Sequence, residues 1–232
     1  WERKREVLIK LKILVVTTQV VSSIPSTVGV QPPSSLLNFF GLFNFLSFDY
    51  ATIIPFECWV EYDYVDILLV TTITPIAISV MIYLACQIEV SCYTRDAGQK
   101  HERTIRTQYY QYFLYLTYLV LPSVTVVIFG MFPCQNVDEQ EEDQYYLRND
   151  LSISCSSERY TTGVTIAAIM IVVYPFGIPL MYWWQLFRYR GIIQNRSTDN
   201  TQQIADIASK YGFLYESYEP RFWYWESVEA IR

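Results

Sequence analysis

Histidine is nearly missing from this sequence: His101 is the only one. The five cysteines form no Cys-x-x-Cys, so a metal centre of the usual nitrogen and sulfur ligands has little to be built from, and we expect none. Also missing are Gly-x-Gly-x-x-Gly, a phosphate-binding glycine-rich loop and His-Glu-x-x-His. The carboxylates lie in polar loops or beside aromatic clusters instead of forming an acid–base constellation. We therefore expect neither enzymatic activity nor a cofactor, and no nucleic-acid partner.

The most informative lack is of charge. Asp, Glu, Lys and Arg are absent from Ile13 to Phe48, Ile67 to Ile88, Thr107 to Val137 and Tyr160 to Phe187. Each run exceeds the ~20 residues that cross ~30 Å of hydrocarbon. A globular core helix would need apolar stretches of only ~10–14 residues. The expectation is an all-α, multi-pass transmembrane helical bundle of about four spans, near 8–30, 67–88, 109–132 and 160–186, within a helical region 1–190. Residues 191–232 form a cytoplasmic, amphipathic, aromatic-rich tail. The first run is broken by Gln31-Pro32-Pro33-Ser34-Ser35, so the segment after it, Leu36 to Phe48, reads as an interfacial or re-entrant piece.

Orientation follows from the basic residues, which resist translocation. Of the 17 Lys and Arg, only Arg148 and Arg159 fall on one side of these spans; the other 15 fall on the opposite side. This predicts both termini and the 89–106 loop in the cytoplasm, with the 31–66 and 133–159 loops outside, in a membrane that we expect to be the plasma membrane. The Asn195-Arg196-Ser197 sequon then lies inside and stays unglycosylated. Cys134 and Cys155 bracket one outer loop and are the expected disulfide, leaving Cys58 as an odd outer cysteine.

What is present adds detail. Each span holds proline, and Pro75, Pro122, Pro175 and Pro179, with Gly177, are candidate gating kinks. Ordinary packing kinks are the alternative, since proline is common in membrane helices. The stretch Tyr174-Pro175-Phe176-Gly177-Ile178-Pro179 packs two prolines and a glycine into six residues, which forbids a regular helix there. Without charge inside the spans, proton relays, voltage sensing and ion-coupled transport are disfavoured, whereas a pore lined by hydroxyls or carbonyls is compatible. The outer acidic group Asp138, Glu139, Glu141, Glu142 and Asp143 either attracts cations to a pore mouth or is a solvated loop. Trp183, Trp184, Trp223 and Trp225 read as interfacial anchors, and the tail around them as a helix on the inner membrane surface.

The chain opens on Trp-Glu-Arg-Lys-Arg without an initiator Met and closes on a helix signal begun at Pro220, so we expect a piece of a longer polypeptide. The segments KILVVTTQVVSSIPS (12–26), PFECW (55–59), LPSVTVVIFGMFPC (121–134), YPFGIPLMYWWQLFRYR (174–190) and KYGFLYESYEPRFWYWESVE (210–229) resemble the C-terminal membrane region of large multi-pass surface proteins of protists such as oomycetes, diatoms and ciliates. The tail also resembles the C-terminal domain of transient-receptor-potential-like (polycystin-like) proteins of fungi. The resemblance implies a membrane-embedded bundle carrying a large cysteine-rich ectodomain and followed by further spans. Its partners would be the lipid bilayer, the remainder of its own chain and copies of itself in a homo-oligomer. The function expected is the membrane domain of a transient-receptor-potential-like cation channel or membrane sensor. The alternatives are a non-conducting anchor for the ectodomain and a lipid or small-molecule carrier.

Overall fold

A computed structural model describes residues 62–137, 144–194 and 201–230, together with Lys10, Leu14, 17–19 and Val21. The described chain is mostly helical, and three of its helices are long and apolar enough to cross a membrane: Tyr64–Cys92, His101–Phe129 and Glu158–Gln194. The expected span at 8–30 and the segment Leu36 to Phe48 fall almost wholly outside the described residues.

The first two of these helices belong to one helical run, α1 (Tyr64–Phe129). A straight helix would separate Tyr64 and Val127 by ~95 Å, yet the Tyr64 hydroxyl donates to the Val127 carbonyl at 3.1 Å. The run therefore folds back on itself. Cys86 and Val90 on the first limb bury against Ile105 on the second, so the reversal lies between Val90 and Ile105. On the first limb the large exposed residues Val70, Ile73, Ile76, Val80, Leu84 and Ile88 repeat at helical spacing, while Val65, Leu68, Thr72 and Pro75 face inward. An apolar stripe turned outward suits lipid and not water.

Two compact units divide the chain. One comprises residues 1–74 and 119–174, the other 75–118 and 175–232.

In the first unit, the start and end of α1 join a three-stranded antiparallel sheet, ordered β1 (Cys134–Asn136), β2 (Tyr145–Leu147), β3 (Asp150–Ser154), and a second helix, α2 (Glu158–Ile171). The sheet is an addition to the expected all-α architecture. Its register pairs Cys134 with Leu147 and Leu147 with Asp150, leaving Arg148 and Asn149 as a two-residue hairpin turn. Leu147 and Ile153 are buried, as is Met131 just before the sheet. Gly130 ends α1 where no side chain would fit: a Cβ there would strike the Tyr64 hydroxyl and Asn149, whose amide donates to the Gly130 carbonyl at 2.9 Å. Gly163 on α2 is similarly tight against Met131 and Val65.

In the second unit, α3 (Ile178–Gln194) packs with α4 (Thr201–Tyr215), a 3-10 turn (Pro220–Phe222) and α5 (Trp225–Glu229), and the middle of α1 meets α3 and α4 through side chains. Between α2 and α3 the chain passes through a π-helical turn, Val172–Gly177, which contains Pro175.

Candidate functional site: proline turns, the disulfide clip and the docked tail

The prolines sit inside helices that continue through them. Pro75 is buried and Pro122 half-buried within α1; Pro179 is buried in the first turn of α3. Around Pro175 and Gly177 the helix widens into the π turn instead of unwinding. A π turn accommodates one extra residue, which lets helix flank both sides of a proline whose missing N–H and ring would otherwise break the ladder. Hydroxyls bind back to the main chain nearby: Thr72 Oγ1 donates to Leu68 O at 2.8 Å and Ser79 Oγ to Pro75 O at 2.8 Å. Such back-bonding bends helices.

Side chains remote in sequence reach the same turns. The buried Tyr174 hydroxyl donates to the Thr72 carbonyl at 2.6 Å, and the Gln19 amide donates to the Leu119 carbonyl at 2.7 Å. Sequence reasoning missed both, because a tyrosine or glutamine in an apolar run carries no mark of which helix it will face.

At the sheet end of the first unit, Cys134 and Cys155 form a disulfide, with a Cα–Cα distance of 6.5 Å, closing the strands into one clip. The N-terminus of α1 is capped twice. Asp63 accepts from the Asp66 N–H in a capping box, and Asp150 of β3 accepts from the Tyr64 N–H at 2.9 Å. Arg159 in the first turn of α2 reaches Asp63 and Asp66 with contacts of 2.7 Å each. The guanidinium holds the Asp63 carboxyl below its usual range. The expected acidic group Asp138, Glu139, Glu141, Glu142 and Asp143 lies outside the described residues, as do Cys58 and the sequon at Asn195. Among the described residues, no group of three or more His, Cys, Asp or Glu side chains is placed to hold a metal ion.

In the second unit the tail docks on helices. Phe213 meets Tyr115 and Tyr118 edge-on, with ring centres 4.7 and 5.1 Å apart. Tyr211 contacts Tyr110 and Tyr189, and Lys210 lies 4.8 Å over the Tyr110 ring. Edge-on aromatic pairs add about 0.5–1.5 kcal/mol each beyond their burial. Burial pushes the Tyr211 phenol up to about 12. It also raises Tyr218, helped by the charge of Glu226 beside it. Glu226 itself is 2% exposed. It lies in the first turn of α5, so the docking of that helix buries it.

The four tryptophans separate. Trp184 is 63% exposed, with Trp183 at 39% and Trp225 at 38%, but Trp223 is 7% exposed. Its ring lies 6.1 Å from that of Phe187, which stacks on Trp183 and has the Arg190 guanidinium over it at 4.0 Å. Trp223 is thus buried within this unit, whereas the other three tryptophans are not.

No protein-family model matches the chain, and no solved structure matches it. Among curated proteins it is similar to Cysteine repeat modular protein A of Toxoplasma gondii, at 28% identity over 120 residues, which is 50% of this chain and 4% of the relative. The chain thus spans a small fraction of the length of the curated relative it matches.

Proposed function

We propose that this chain is the membrane anchor of a very large surface protein built from cysteine-rich modules. The observation that carries this reading is the asymmetry of the match: half of the chain aligns with 4% of a relative whose name describes cysteine repeats. In this reading the three apolar helices join a span at 8–30 to make four, with both termini cytoplasmic and the disulfide clip outside, in the plasma membrane. The clip stands next to the ectodomain, and the docked tail receives its mechanical state on the inner side. Further spans, the ectodomain and the bilayer are the partners.

A second reading is favoured by one specific feature, the π turn at Val172–Gly177 within an apolar helix, since such turns recur at functional sites. In that reading the bundle is a transient-receptor-potential-like cation channel, and the turn is part of its gate. A lipid or small-molecule carrier has no comparable feature to recommend it, and no enzymatic activity is proposed.

The test is made on the full-length protein in cells. An impermeant thiol reagent applied outside should label Cys155 only after reduction. Labelling of Cys155 from the cytoplasmic side would overturn this arrangement. Patch recordings decide between the two readings: silence under tension favours the anchor, and stepwise cation currents the channel.

A further inference from the structure

The chain passes between its two compact units at Thr74–Pro75, Tyr118–Leu119 and Tyr174–Pro175. Two of the three crossings are at a proline, and Pro122 follows the other by three residues. A proline inside a helix removes one N–H and presses its ring against the carbonyl four residues earlier, opening the turn before it. Carbonyls on that turn have lone pairs to offer.

At two of these turns a donor arrives from about a hundred residues away. Tyr174 Oη donates to Thr72 O across 102 residues of sequence, and Gln19 Nε2 to Leu119 O across 100. Thr72 lies three residues before Pro75, and Leu119 three residues before Pro122. The same relation between proline, carbonyl and remote donor thus occurs twice. Tyr174 and Gln19 are both 4% exposed, so neither bond competes with bulk water.

We infer that Pro75 and Pro122 are hinges and that Tyr174 and Gln19 are their latches, each holding the carbonyl three residues before its proline. The Thr72 hydroxyl is committed to Leu68 O and Leu69 O, so the latch acts on the carbonyl. Tyr174 is also in the π turn, immediately before Pro175. The net worth of one such bond is small enough for a stimulus to break it, which a reversible latch requires.

The experiment is a double-mutant cycle read by amide hydrogen exchange on the full chain in nanodiscs. Tyr174→Phe keeps the ring and removes the donor. It should speed exchange at 76–79 about three- to tenfold and leave 123–126 unchanged; Gln19→Leu should do the reverse. In a Pro75→Ala background, where the helix is regular, Tyr174→Phe should lose its effect on 76–79. An equal effect in both backgrounds would reduce Tyr174 to a packing contact and overturn the latch, as would no effect in either. The Gln19 arm, with Pro122→Ala as its background, reads independently if Tyr174→Phe does not fold.

Discussion

Arg159 and Asp63 meet through two nitrogen–oxygen contacts, at 2.7 and 3.0 Å, although 96 residues separate them in sequence. The pair fastens the first turn of α2 to the cap of α1. Because Arg159 depresses the Asp63 pKa, its stabilisation is present at pH values above the unfolded carboxyl's ordinary value near ~3.9 and is lost as pH falls through the lower folded value. Arg159→Ala should therefore lower the melting temperature at pH 7 and flatten the acid limb of the profile. Both partners are part-exposed, so solvent screening limits the loss to about 1 kcal/mol or less. Melting curves from pH 3 to 8 check it; parallel acid limbs in the two proteins would contradict the assignment.

Gly163 admits α2 close to the end of α1. A Cβ at this position would lie 2.5 Å from Met131 Cε and 2.9 Å from Val65 Cγ2. The methionine end can yield and the branched valine much less, so Gly163→Ala should cost about 1–3 kcal/mol and Gly163→Leu should prevent folding. Met131→Ala should recover part of the loss in the alanine variant. Thermal melts followed by size-exclusion profiles decide this, and a neutral Gly163→Leu would refute the packing.

The docked tail should come loose when its aromatic wedge is removed. Phe213→Ala deletes both edge-on contacts, with Tyr115 and Tyr118, and is expected to cost about 2–3 kcal/mol. The readout is limited proteolysis: cleavage within 201–215 should appear in the variant before any cleavage of α1.

Alkali tests the same interface from another direction. Tyr211 is raised to about 12 against an unfolded phenol near ~10. A raised folded value means stabilisation that is complete below pH 10 and lost as pH climbs through 12. Ultraviolet titration of wild type against Tyr211→Phe should show the missing phenol titrating near the top of that range; a normal value would place the ring in water.

The helices were legible because hydrocarbon sets a length, and runs without charge display it directly. Their ends were less so: Tyr64 begins α1 three residues before the expected Ile67, since Asp63 and Asp150 cap it from the polar side. The cysteine pair was legible from bracketing one loop. The sheet was not, because strands of three to five residues with polar members give too short a pattern for alternation to emerge. Nor could sequence distinguish Trp223 from Trp184, or show that Tyr174 would meet Thr72. Those facts depend on which helix faces are brought together, and neighbouring residues hold no record of that.

The disulfide clip has a consequence for how the molecule is made. Its cysteines are 21 residues apart, and its strands pair only with one another. Contacts this local close early during synthesis, once Cys155 reaches an oxidising compartment. Tyr211 and Phe213 must instead find tyrosines synthesised about a hundred residues before them. The ribosome thus delivers a closed clip before the docking segment 201–215 has been made, so errors in biogenesis should accumulate at the docking of that segment.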